Sequence, residues 1–129
     1  MKVICDTNSI TALRLGNPQV LEALEQAGTV YLSVIVMGEL LYGFAKGSKE
    51  KENLSFLKKF INKPTVELLP VDDETARVYS QLRIDLSRIG KPIPTNDLWI
   101  ASQAIEHGAV LLSNDLHFNS ITGLRRQQF

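Results

Sequence analysis

The chain has 129 residues, with 14 basic residues against 14 acidic ones and no net charge at neutral pH. That length is one domain, spanning 1–129, with room for a substantial core. A zero balance argues against bulk electrostatic binding of nucleic acid, though not against a local basic patch. No apolar run approaches a membrane span, the amino terminus carries no signal-peptide pattern, and the single cysteine, Cys5, excludes an intrachain disulfide. The expected compartment is therefore the cytoplasm.

Val3-Ile4-Cys5 is a short apolar run that stops at Asp6, which suits a buried strand with Cys5 as a small core residue. Thr7 or Asn8 can cap a helix from about Ser9 to Leu15, ended by Gly16. Asn17-Pro18 has the chemistry of an N-cap and first helical residue. Val20, Leu21, Leu24 and Ala27 give the second helix its stripe, and Gly28 closes it. Thr29 to Ser33 reads as a second strand, and Val34 to Ala45 as a strongly apolar helix. Gly47-Ser48 breaks the pattern, and Ser48 can cap the next helix, which runs to about Asn62. Leu54, Leu57 and Ile61 supply its inner face, widened by Phe56 and Phe60.

Val66 to Val71 is a third strand. Asp72-Asp73-Glu74 opens a long helix, where acids complement the helix dipole and capping is the better reading. Ala76, Tyr79, Leu82, Leu86 and Ile89 form its stripe, and Gly90-Lys91-Pro92 stops it. Thr95 can cap a helix from about Asn96 to His107, ended by Gly108. Ala109 to Ser113 is a fourth strand, followed by Asn114-Asp115 and a short helical turn over Phe118 to Ile121. The tail from Gly123 reads equally as an edge strand or a loose end. Strands alternating with helices predict an α/β fold with a mostly parallel sheet covered on both faces.

Between Lys46 and Lys63 the chain has six lysines (Lys46, Lys49, Lys51, Lys58, Lys59 and Lys63) and only two acids, Glu50 and Glu52. This is either a solvated helix face or a phosphate-facing patch.

Four acids fit an ordinary fold poorly. Asp6 and Asp115 each follow an apolar strand, so both belong at one rim of a parallel sheet. Glu39 lies inside an apolar helix, and Asp97 sits in the first turn of a helix whose Leu98, Ile100, Ala101, Ala104 and Ile105 read as buried. Each has a bland alternative. Asp97 can serve the helix dipole, Asp115 can be a turn acid, and Glu39 can sit on a narrow polar strip. Together, without basic neighbours, they favour a hard divalent cation, Mg²⁺ or Mn²⁺. His107 and His117 stand apart in sequence, which argues against zinc. Carboxylates holding such ions chiefly serve phosphoryl chemistry. Setting the four aside leaves 10 acids against 14 bases, enough to present a basic surface to RNA once metal offsets them.

Asp6-Thr7-Asn8, Glu39 in its apolar helix, the run Pro94 to Ala101 around Asp97, and Ser113-Asn114-Asp115-Leu116-His117-Phe118 together resemble the PIN domain. Within that superfamily the chain is similar to the VapC toxins of bacterial toxin–antitoxin pairs. The resemblance covers essentially the whole chain. It implies a three-layer α/β/α fold with four or five strands in the order 3-2-1-4-5. It also implies a Mg²⁺- or Mn²⁺-dependent endoribonuclease that cuts structured RNA, a transfer RNA or a ribosomal RNA loop. Asp6, Glu39, Asp97 and Asp115 match the family's catalytic, metal-holding acids, and Thr7, Ser113 and Asn114 match its supporting polar residues. Lys46, Lys49, Lys51, Lys58 and Lys59 are the candidates for RNA contact. The implied partners are a VapB-type antitoxin and a second copy of the chain. Ser9 and the polar tail depart from the family pattern, the tail at the expected edge strand.

Two other functions compete. A phosphatase could use Asp6 as nucleophile, but such chemistry wants a second acid two residues on, where Asn8 stands. A catalytically inactive module could bind RNA or dock an antitoxin, but the four acids speak against it.

Overall fold

A computed structural model describes residues 1–129. Five strands form one wholly parallel sheet: β1 (Lys2–Cys5), β2 (Thr29–Ser33), β3 (Val66–Leu69), β4 (Val110–Leu112) and β5 (Arg126–Gln127). Their order is β3-β2-β1-β4-β5, as the resemblance implied. The helices are α1 (Thr7–Arg14), α2 (Pro18–Gln26), α3 (Val34–Lys46), α4 (Glu50–Ile61), α5 (Asp73–Arg88) and α6 (Thr95–His107). A 3₁₀ turn spans Leu116–Ser120. The architecture is the expected three-layer α/β/α arrangement.

β1 is the central strand, and its near-continuous apolar run reflects burial on both faces. Val3, Ile4 and Cys5 are sealed there with Val30, Leu32, Leu111 and Leu112 from the flanking strands. Burial pushes the Cys5 thiol up to about 12, despite a hydrogen bond with Ser9, so the sulfur is an inert core group. The register then sets the rim. Cys5 pairs with Leu32 on one side and Leu112 on the other, so Asp6, Ser33 and Ser113 come next along three adjacent strands. The chain leaves β1 toward β2 and later returns to β4 on β1's opposite flank. Ligands of open α/β sheets bind at such a reversal, outside the carboxyl ends of the strands.

Several local expectations are corrected. The first helix starts two residues earlier, because Asp6 is its own N-cap: the Asp6 carboxylate accepts from the Ser9 N–H at 2.7 Å. Lys49, not Ser48, precedes α4, with no side-chain cap, and α6 starts at Thr95 after Pro94. The second helix stops at Gln26, before Gly28. On α5, Ala76 and Ile89 are exposed, and the inner positions are Thr75, Leu82 and Leu86. Thr75 can be buried because its hydroxyl is satisfied, bonding Asp72 at 3.0 Å and Glu106 at 2.7 Å. Leu54 lies 40% exposed on α4, leaving Leu57 and Phe60 as the anchors.

The tail is an edge strand. β5 pairs with β4 through Leu111↔Arg126 and Leu112↔Gln127. The Asn114 side chain clasps the end, donating to the Phe129 carbonyl and accepting from its N–H, both at 2.8 Å. No helix is long and apolar enough to cross a membrane.

Candidate active site

Strand ends and helix starts bring the four acids to one rim. Asp6 follows β1, Asp97 lies in the first turn of α6, and Asp115 precedes the 3₁₀ turn after β4. Glu39 projects from the second turn of α3, which Ser33 starts by accepting from the Ile35 N–H at 3.1 Å. Asp97 registers the proximity of the others. Burial raises its pKa most, His117 opposes that rise, and the negative charges of Glu39, Asp115 and Asp6 add to it in that order. None of the four acids pairs with a lysine or arginine.

Neighbouring groups hold Glu39, Asp6 and Asp115 in place. Thr7 donates its hydroxyl to Glu39 Oε1 at 2.7 Å, across the gap between α1 and α3. Ser9 donates its hydroxyl to the Asp6 carbonyl at 2.9 Å, and its N–H to the Asp6 carboxylate. The Ser113 hydroxyl accepts from the Asp115 N–H at 3.1 Å. Thr7 and Ser113 thus touch the acidic group, whereas the Asn114 side chain is spent on the tail. Arg126 ties the same loop from β5, donating to the Ser113 carbonyl at 2.9 Å and to Asn119 Oδ1 at 3.1 and 3.2 Å.

His117 is the residue that sequence reasoning missed. Its Nε2 lies 3.0 Å from Asp97 Oδ2 and its Nδ1 lies 2.9 Å from Asp115 Oδ1. Asp97, Asp115 and His117 bring one ligand atom each to within 4.8 Å of one another. The sequence distance between His107 and His117 carries no sign of this contact. The useful signal was the spacing of Asp115 and His117 on one tight turn after a strand.

The lysines are all exposed. Lys46 ends α3, seven residues after Glu39 and on the same face, about 10 Å along the axis. It lies over the Tyr42 ring, 4.7 Å from its centroid. Lys49 and Lys51 lie at the start of α4, and Lys58 and Lys59 lie in its last turn, where a cation also suits the helix dipole.

A concavity of 410 Å³ between α5 and the start of α6 holds none of the four acids. The acids sit at an open rim, beside a groove of 380 Å³ lined by Val34, Ile35, Gly38, Glu39, Tyr42 and Asn96. An open rim admits a polymer more readily than a closed cavity does, and four carboxylates without a lysine or arginine partner fit a divalent cation.

The PIN domain family model matches residues 3–124, and the chain belongs to that family. It is similar to a protein named ribonuclease VapC2 from Rickettsia felis, 36% identical over 96 residues, covering 74% of this chain and 70% of the relative. It is 30% identical to the tRNA(fMet)-specific endonuclease VapC of Salmonella typhimurium, covering 97% of this chain and 96% of the relative. Among solved structures, VapBC2 from Rickettsia felis bound to a DNA fragment from their promoter matches with TM-score 0.88 at 31% identity. That match covers 99% of this chain and 98% of the other. The chain is thus a PIN-domain nuclease of the VapC ribonuclease type, and such nucleases use divalent metal.

Proposed function

We propose that this protein is the toxin of a toxin–antitoxin pair, an endoribonuclease that depends on Mg²⁺ or Mn²⁺ and cuts structured RNA. The observation that carries this reading is the convergence of Asp6, Glu39, Asp97 and Asp115 without a single lysine or arginine partner. The donor set, oxygen from four carboxylates, is that of a hard cation. When bound, the cation supplies the charge that activates water and offsets charge developing on the phosphodiester.

The chain's own residues prepare that site. Thr7 fixes one oxygen of Glu39 and so orients the other. The Ser9 N–H occupies Oδ1 of Asp6 and leaves Oδ2 to the rim. Ser113 holds the backbone of Asp115, so that the carboxylate is carried by the end of β4 rather than by a loose loop. Lys46, Lys49, Lys51, Lys58 and Lys59 contact the RNA backbone, and their contribution weakens with salt. The substrate is a transfer RNA or a ribosomal RNA loop. The Salmonella typhimurium relative, named for tRNA(fMet), makes transfer RNA the first substrate to test.

The VapBC neighbour makes a VapB-type antitoxin the expected partner. It covers the acidic rim and presents a cation, an arginine, to the carboxylates in place of metal. The toxin itself forms a homodimer, and both partners meet in the cytoplasm.

The test is cleavage of folded RNA by the purified chain with chelator, then with Mn²⁺ restored. Loss and recovery of cleavage support the nuclease. Phosphate release from small esters would instead favour the Asp6 phosphatase, and RNA binding without cleavage would favour the inactive module.

A further inference from the structure

We infer that His117 is a fifth, nitrogen ligand of the metal centre, and that it biases the centre toward Mn²⁺ over Mg²⁺. The inference rests on the metal-holding role proposed above for the four carboxylates.

His117 Nε2 is sealed from solvent and has no hydrogen-bond partner. Asp97 Oδ2 lies only 3.0 Å away, without forming a hydrogen bond to it. A buried polar atom left in that state is costly unless something else engages it. The spacing indicates what engages it. Adjacent ligands of an octahedral ion with bonds of about 2.1 Å stand about 3.0 Å apart. Nε2 and Asp97 Oδ2 therefore already have the separation of two neighbouring ligands of one six-coordinate cation.

The other face of the ring supports the same reading. Nδ1 lies 2.9 Å from Asp115 Oδ1. Metal-bound histidines generally present their second ring nitrogen to a carboxylate or carbonyl, which fixes the tautomer and the ring's orientation. A tautomer with its proton on Nδ1, beside Asp115, would leave the Nε2 lone pair free for a cation shared with Asp97. Phe118, buried, holds the ring from the side at 4.6 Å between centroids, edge to face. The other oxygen of Asp115 remains available to the cation. The backbone that carries this arrangement is braced independently, by Arg126 across Ser113 and Asn119.

An imidazole changes selectivity. Carboxylate oxygens suit Mg²⁺ and Mn²⁺ alike, whereas affinity for a nitrogen donor rises along the transition series and is poor for Mg²⁺. The nitrogen should tighten Mn²⁺ binding and leave Mg²⁺ binding almost unchanged.

The experiment is pulsed electron paramagnetic resonance on the full chain loaded with Mn²⁺, together with calorimetric titration of Mn²⁺ and Mg²⁺. The expected spectrum shows nitrogen coupling to Mn²⁺ that is retained in His107→Ala and lost in His117→Ala. The expected loss of Mn²⁺ affinity in His117→Ala is about tenfold or more, with under about threefold for Mg²⁺. Because the spectrum is read on the unaltered chain, it stands even if His117→Ala folds poorly. Bound Mn²⁺ without nitrogen coupling, or equal Mn²⁺ affinity in the variant, would overturn the role of His117 while leaving the carboxylate site intact. Failure of the unaltered chain to bind either ion would overturn the carboxylate reading as well.

Discussion

Two helices of this protein begin with acids, and they resolve the same problem in opposite ways. At the start of α5, Asp72 accepts from the Thr75 N–H at 3.0 Å and closes a capping box with the Thr75 hydroxyl. That backbone hydrogen bond holds its pKa below the ordinary carboxylate value. Next to it, Arg77 pairs with Asp73 at 3.1 Å and Glu74 at 2.6 Å. At the start of α6, Asp97 makes no cap, and the residue before the helix is Pro94, which has no side-chain acceptor to offer. Burial and three like charges push the Asp97 pKa up, against the pull of His117. At Asp72 a backbone hydrogen bond lowers the pKa, whereas at Asp97 burial and neighbouring carboxylates raise it. The contrast is between an acid that caps its own helix and one that does not.

The largest effect should fall on one side of that contrast only. Asp6→Asn and Asp97→Asn keep shape and lose charge, and each should slow RNA cleavage by at least about a hundredfold, about 2.7 kcal/mol of barrier. Asp72→Ala should leave the cleavage rate unchanged and lower the melting temperature by a few degrees, as loss of a cap does. Single-turnover cleavage at saturating Mg²⁺, beside a thermal melt, reads both. Near-normal cleavage by either asparagine variant would remove the metal mechanism.

A smaller effect concerns α4, whose first-turn Glu50 and Glu52 and last-turn Lys58 and Lys59 match the helix dipole at both ends. Helix chemistry alone could account for that pattern. If the lysines also meet RNA, Lys58→Glu with Lys59→Glu should weaken RNA binding severalfold and flatten its salt dependence. Unchanged affinity and slope, measured by titration at several salt concentrations, would leave these lysines as a solvated helix end.

The sequence pattern made much of this legible, for physical reasons. Strands that are apolar to their last residue and then stop at an acid announce a sheet rim, which is how Asp6 and Asp115 could be paired before any geometry was known. Glu39 stood out because a carboxylate among Met37, Leu40 and Leu41 needs a reason. What stayed hidden depends on contacts that leave no periodicity. β5 is held by backbone pairing with β4 and by the Asn114 clasp, neither of which requires apolar side chains, so Gly123 to Phe129 read equally as an edge strand or a loose end. Thr75 displaced Ala76 from the inner face of α5 through a hydroxyl partner 31 residues away, Glu106. His117 meets Asp97 only because the 3₁₀ turn packs against the start of α6, a proximity across 20 positions of chain that spacing does not encode.

The same two helix starts should give stability opposite dependences on pH. Asp97, with its folded pKa above its unfolded value, holds a proton more tightly in the native state. Between those two values the native state binds more protons than the unfolded chain, so stability falls as pH rises through the window and levels off above it. Asp72, with its folded pKa below its unfolded value, contributes stability that is present above the unfolded value and lost as pH falls through the folded one. Metal-free protein with Asp97→Asn should therefore lose the falling limb and melt no lower than the unaltered chain, and higher once pH has risen through the window. Asp72→Asn should lose the rising limb instead. Addition of Mg²⁺ should raise the melting temperature of the unaltered chain more than that of Asp97→Asn, since a ligand stabilises only what it binds. The measurement is a set of thermal melts in chelator and in Mg²⁺, across about pH 3 to 6 and at pH 7. If Asp97→Asn is clearly the less stable protein in chelator, then Asp97 serves α6 much as Asp72 serves α5, and the distinction between the two helix starts fails.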